Sequence, residues 1–239
     1  MSGLRDIIQV AGVIDRAEAE LLVSCGADWL GLPLRLPVHR EDLDDAAAAA
    51  LVAWLRGRAE AVLITYLADA AEIAALANRL GVSWVQLHGA IESSELERLR
   101  AVAPHLRILK SLVVRDGDAE ELLEQVRVLA SGVDAFITDT FDPETGASGA
   151  TGKTHDWRVS ASLVARSPRP VILAGGLTPK NVRDAIVKVR PAGVDVHTGV
   201  EGPDGRKRRD LVERFVSEAR AGFASFRQTA RLSPARGAR

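Results

Sequence analysis

Residues Pro170 to Glu201 read PVILAGGLTPKNVRDAIVKVRPAGVDVHTGVE. The run Val171-Ile172-Leu173-Ala174 is apolar, too short for a helix, and ends in Gly175-Gly176. Thr178-Pro179 supplies an N-cap and a first-turn proline, which predicts a helix starting there. Val182, Ile186 and Val189 recur at helical spacing up to Pro191. A second short run, Val194-Asp195-Val196, ends in His197-Thr198-Gly199. The stretch is a strand–helix–strand unit of about the minimum length for a parallel crossover. Gly175, Gly176 and Gly199 carry no Cβ to shield their backbone N–H groups. Two such strand ends side by side predict a phosphate cradle, with His197 and Thr198 beside it.

The same rhythm runs through the rest of the chain. Short apolar runs at Ile7–Ala11, Trp29–Leu34, Ala61–Tyr66, Trp84–Leu87, Ile108–Val114 and Ala135–Thr138 predict six earlier strands. Helices are expected between them: after Asp15 up to Gly26, over Glu41–Arg56, over Asp69–Leu80, from Ser93 or Ser94 to about Pro104, and over Asp118–Ala130. An irregular stretch from Phe141 to Asp156 precedes a short helix at Trp157–Ala165, and its length suggests a lid. A final amphipathic helix is expected over about Arg209–Phe226. Eight strands and eight helices in strict alternation predict an α/β fold, a single (β/α)8 TIM barrel over residues 1–231, with 232–239 a disordered tail. A doubly wound open sheet is the alternative, weakened because no G-x-G-x-x-G follows strand one.

The 239 residues are 47% hydrophobic and 26% charged, the balance of an ordinary globular chain with a sizeable core. A net charge of −1 argues against non-specific nucleic-acid binding. The single Cys25 cannot form an internal disulfide and reads as a small buried filler. No secretory signal and no membrane span are evident, so a cytoplasmic location is expected. The histidines show no metal-ligand spacing, so no metal site is indicated.

In a barrel the working residues lie at the C-terminal ends of the strands. Collected there are Gln9, Ala11, Arg35, Gln86, His88, Lys110, Asp139, Gly175, Gly176, His197 and Thr198. Asp139 is the acid–base candidate, because it emerges from an apolar run where burial favours a protonated carboxyl. His88 is either a proton carrier or a loop hydrogen-bonding group. Lys110, buried by pattern within ILKSL, could pair with a carboxylate, anchor a substrate anion or form a Schiff base.

Several of these pieces together resemble phosphoribosylanthranilate isomerase of tryptophan biosynthesis. They are VQLHG (Val85–Gly89), Asp139-Thr140, GATGKTHDW (Gly149–Trp157), the LAGGLTPKNV run (Leu173–Val182), GVDVHTGVE (Gly193–Glu201) and the G-x-K at Gly205–Lys207. The resemblance covers nearly the whole chain. It implies a (β/α)8 barrel and a cofactor-free Amadori rearrangement, in which an aldose amine becomes a ketose amine. It implies that Asp139 is the acid, that Gly175, Gly176, Thr198 and Gly199 hold a phosphate, and that Gly149, Thr151, Gly152 and Lys153 belong to a mobile loop over the substrate. The partner expected is a small phosphosugar, with no nucleic acid and no membrane, and the protein a monomer or homodimer.

The chain also departs from the family pattern. The family's base cysteine, in a K-I-C-G motif of strand one, is replaced here within Gln9-Val10-Ala11-Gly12, and alanine has no proton to exchange. A related family of histidine-pathway isomerases, which carries an aspartate at that point, is excluded for the same reason. The family arginine that meets the anthranilate carboxylate falls in LPLRLPVHRE (Leu32–Glu41), where Arg35 or Arg40 could stand in. The family's Ser-Ser in strand eight is His197-Thr198. Three readings stay open on sequence: a family isomerase, with His88 or Lys110 as the replacement base; a relative repurposed as a phosphosugar epimerase or lyase; and a non-catalytic phosphosugar-binding protein.

Overall fold

The computed structural model describes residues 4–37, 41–114, 119–140 and 155–232. Eight parallel strands close into a barrel in sequential order. They are β1 (Ile7–Ala11), β2 (Trp29–Pro33), β3 (Glu60–Thr65), β4 (Trp84–Leu87), β5 (Arg107–Val114), β6 (Ala135–Thr140), β7 (Val171–Leu173) and β8 (Gly193–Val196). The helices between and after them are α1 (Arg16–Ser24), α2 (Asp45–Leu55), α3 (Ala70–Leu80), α4 (Ser93–Val102), α5 (Ala119–Leu129), α6 (Trp157–Arg166), α7 (Val182–Val189) and α8 (Arg209–Leu232). Closure through the β1–β8 pairing, with Gln9 opposite Asp195, rules out the open doubly wound sheet.

Strand side chains alternate between two apolar layers, which is why the runs read as continuously hydrophobic. The outer faces, with Ile8, Val10, Leu63, Leu87, Ile108 and Val194 among them, pack beneath the helices. The inner faces form a separate plug of Trp29, Val62, Trp84, Leu109, Ala135, Ile137, Ile172 and Ala174. The plug fills the barrel and gives the mouth a dry floor.

Local chemistry sets the helix ends. Asp15, Asp44 and Asp69 each accept backbone N–H bonds in the first turn of α1, α2 and α3. Gly81, at φ 75°, closes α3 in the left-handed conformation. Helix α2 begins at Asp45, not at Glu41 as the sequence suggested. Glu41 is used elsewhere: its carboxylate binds the backbone N–H and guanidinium of Arg35.

Helix α7 likewise starts at Val182 rather than at Thr178-Pro179. Asn181 explains the delay. Its side chain accepts from Thr178 N at 2.8 Å and donates to Gly176 O at 3.0 Å. These bonds hold residues 178–181 as a turn bracing the Gly175-Gly176 loop. Helix α8 runs on to Leu232, past the expected end near Phe226; the rest of the expected tail lies outside the described residues.

Candidate active site

The barrel mouth carries a line of polar side chains above the apolar plug. Gln9, Gln86, Ser111 and Asp139 are all buried, on β1, β4, β5 and β6. Gln9 Nε2 donates to Gln86 Oε1 at 3.1 Å, and Gln86 Nε2 to Ser111 Oγ at 3.3 Å. Ser111 Oγ meets His88 Nδ1 at 3.2 Å. His88 Nε2 lies 3.1 Å from Asp139 Oδ2. Asp139 Oδ1 accepts the N–H of Thr140 at 2.8 Å. A carboxyl group at the floor of the site thus has a fixed orientation and a histidine within proton-transfer reach. Tyr66 flanks that histidine, its ring centroid 4.8 Å from the imidazole's.

The glycine-tipped ends of β7 and β8 stand beside Asp139. Gly175 and Gly176 take φ +100° and +60°, a region that L side chains rarely adopt. A Cβ on Gly175 would come 2.0 Å from Thr140 Oγ1, and one on Gly199 would come 1.9 Å from Leu177 O. The β8 loop therefore touches the β7 loop at Gly199, Gly175 sits against the end of β6, and residues 174–177 and 195–199 line one small cleft with Asp139. Thr140 Oγ1 in turn meets His155 Nδ1 at 2.9 Å, and His155 Nε2 meets Ser160 Oγ at 2.6 Å, tying β6 to α6.

His197 does not turn toward that cleft's floor. Its ring packs over Gly12, where a Cβ would sit 2.1 Å from Nε2, and Nε2 lies 3.3 Å from Glu201 Oε1. Thr198 begins a short 3-10 turn, Thr198–Val200, at the cleft edge. The proposed lid residues Gly149, Thr151, Gly152 and Lys153 lie outside the described residues, as does Arg40.

Two residues sit differently from the sequence expectation, and a third carried none. Lys110 faces the helical layer, between Ile108 and Leu112 of the outer core, because strand alternation turns Ser111 inward instead. Its ammonium donates to Gly89 O at 2.9 Å, Ser111 O at 2.8 Å and Leu87 O at 3.3 Å. Those three carbonyls take up its N–H donors on the helical side of the strand. Burial pushes its pKa down to about 8. Arg35 is held by Glu41 and, at 2.7 Å, by Asp45, which also binds Arg79. The guanidinium serves this ion-pair cluster and does not stand free for a substrate carboxylate. Asp195 is a further buried polar residue of this cleft that the sequence reading does not single out. Its signal was a charge inside the apolar V-D-V run, which places it on the inner face between two outward valines. Asp195 Oδ1 is buried without a hydrogen-bond partner among the described residues.

The model of the N-(5'phosphoribosyl)anthranilate (PRA) isomerase family matches residues 40–218. The chain belongs to the phosphoribosylanthranilate isomerase family. An N-(5'-phosphoribosyl)anthranilate isomerase 2 of Methanosarcina mazei is 37% identical over 222 residues, 92% of this chain and 96% of the relative. Monomers generated from the dimeric phosphoribosylanthranilate isomerase of Thermotoga maritima superpose with a TM-score of 0.73 at 27% identity, over 90% of this chain and 98% of theirs. A phosphoribosyl anthranilate isomerase in complex with reduced 1-(o-carboxyphenylamino)-1-deoxyribulose 5-phosphate gives a TM-score of 0.74 at 25% identity, with the same coverage. These structures thus share this barrel nearly end to end.

Proposed function

We infer that this protein is a phosphoribosylanthranilate isomerase of tryptophan biosynthesis, acting in the cytoplasm on N-(5'-phosphoribosyl)anthranilate. The observation that carries the reading is the cleft joining Asp139 to the glycine-tipped ends of β7 and β8, in a chain of this family. A phosphate seated over Gly175, Gly176 and Gly199 leaves the ribose over the buried carboxyl. A relative bound to a reduced product analogue, itself a ribulose 5-phosphate derivative, supports a substrate of that size and charge.

The chemistry follows from the positions. Asp139 gives a proton to the ring oxygen as the C1–O bond opens, and the anthranilate nitrogen's lone pair forms a protonated imine. His88, 3.1 Å away and held by Ser111 on its other ring nitrogen, is placed to return a proton to Asp139. Loss of the C2 proton then gives an enolamine, which rearranges to the ketose. Nothing is gained or lost overall, so no redox partner is needed. The enzyme works as a monomer or as a homodimer like the Thermotoga maritima enzyme.

Steady-state conversion of N-(5'-phosphoribosyl)anthranilate tests the reading. Wild-type protein turns the substrate over, and Asp139→Asn lowers kcat by about 10²–10⁴-fold, the usual contribution of one acid–base group. No conversion by the wild type, or full activity in Asp139→Asn, overturns it.

A further inference from the structure

The reaction needs a second group, one that takes the C2 proton. Ala11, at the mouth end of β1, has nothing to accept it with. The ammonium of Lys110 is bound by three carbonyls, and His197 leans on Glu201. Asp139 is committed to the ring oxygen: its Oδ1 accepts from Thr140 N, and its Oδ2, which makes no hydrogen bond among the described residues, has His88 Nε2 3.1 Å away. We propose that Asp195 is the base of this isomerase, the carboxylate that removes the C2 proton while Asp139 serves the ring oxygen. The proposal rests on the isomerase reading above.

Placement comes first. Asp195 and Asp139 line the same cleft beneath the glycine tips, on the strands that flank β7. A sugar held there by its phosphate meets one carboxyl from each side. Val194 and Val196 belong to the outer core, so the strand cannot turn Asp195 outward without exposing both valines to the barrel interior.

Burial and bonding come second. Asp195 is only 9% exposed, yet its Oδ1 has no hydrogen-bond partner among the described residues. A buried carboxylate oxygen left open is costly, and such atoms call for an explanation. An oxygen aimed into a substrate cleft, able to receive a proton there, provides one. The remaining surroundings support a working base. Burial pushes the Asp195 carboxyl up to about 7; Gln9 opposes this, the charge of Asp139 adds to it, and His88 and Lys207 oppose it. A carboxylate of that basicity accepts a proton from carbon more readily than an ordinary one and is still substantially ionised near neutral pH.

The step balances. Asp195 takes H⁺ from C2; the C2–H pair becomes the C1=C2 bond; the C1=N⁺ pair returns to nitrogen. Tautomerisation of the enolamine then returns a proton to C1 as the C2 hydroxyl becomes the ketone. Asp195 and Asp139 finish in their starting states once Asp195 has released its proton to solvent and Asp139 has taken one back, with His88 Nε2 3.1 Å from its Oδ2.

The test uses the full chain and N-(5'-phosphoribosyl)anthranilate. Asp195→Asn is expected to lose about 10²–10⁴-fold in kcat with KM within about threefold. Its stabilisation by ribose 5-phosphate in thermal melts should remain, which shows that the fold and cradle are intact. Ala11 is the diagonal neighbour of Asp195 on the adjoining strand, so Ala11→Cys combined with Asp195→Asn puts a thiol into the same space. That double variant should regain at least about tenfold in kcat. The rising limb of its pH–rate profile should move from near 7 toward the thiol range, about 8.5. Asp195→Asn with kcat near wild type, a loss confined to KM, or a double variant no faster than the single overturns the proposal. A wild type that does not convert the substrate overturns the isomerase reading instead, and this role with it.

Discussion

His88 Nε2 stands 3.1 Å from Asp139 Oδ2, and Ser111 holds the other ring nitrogen at 3.2 Å. The pair joins β4 to β6 across the barrel mouth, and the serine on β5 between them fixes the ring. His88→Gln keeps a hydrogen-bonding group but moves no proton. It should lower kcat by at least about tenfold, since small losses of positioning can cost up to about 10²-fold. KM should change little, because the phosphate end is untouched. Steady-state kinetics with N-(5'-phosphoribosyl)anthranilate check this.

Gly199 lies against Leu177 so closely that a Cβ would approach the carbonyl oxygen to 1.9 Å. Backbone must move to admit it. Gly199→Ala should separate the two loops that form the cradle, with a stability loss of about 1–3 kcal/mol from overpacking. Ribose 5-phosphate should no longer raise its melting temperature, whereas it raises that of the wild type by mass action.

Lys110 is a structural cation. Lys110→Met leaves the carbonyls of Leu87, Gly89 and Ser111 without their charged donor. A loss of about 2–3 kcal/mol is expected, read by urea denaturation. Borohydride added during turnover of the wild type should trap no adduct at this lysine.

Glu201 links the site to the barrel's closing turn. Burial raises its carboxyl, but His197 at 3.3 Å and Lys207 at 2.7 Å outweigh that and hold it at about 2. The folded value lies below the unfolded one, about 4.3–4.5, so Glu201 stabilises the fold above that range. The contribution drains away as pH falls from about 4.5 through 2. At pH 7 Glu201→Gln should be less stable than wild type, by on the order of 3 kcal/mol. The gap should narrow on acidification through that window, as followed by denaturant melts at several pH values.

The barrel was legible because its strands are buried on both faces and read as unbroken apolar runs, each followed by a capped helix. The paired glycines of β7 and β8 were legible because they mark backbone that no side chain may enter. Side-chain facing was harder. Lys110 and Ser111 are neighbours in sequence, and only the strand's registry with β4 and β6 decides which looks into the barrel. The Gln9–Gln86 bond spans 77 positions, and no local pattern announces it. Strand alternation within Val194-Asp195-Val196 puts Asp195 on the face opposite the valines, but its place opposite Gln9 depends on the β1–β8 closure, which exists only when the whole sheet is made. The start of α7 was misplaced because Asn181 reaches back to Gly176, a tie that outweighs the Thr-Pro signal.

The most direct test is a crystal structure of the protein with ribose 5-phosphate. The account predicts the phosphate over Gly175, Gly176 and Gly199, with the sugar lying between Asp139 and Asp195. A phosphate bound at any other place on the barrel, with those glycines left untouched, would contradict it.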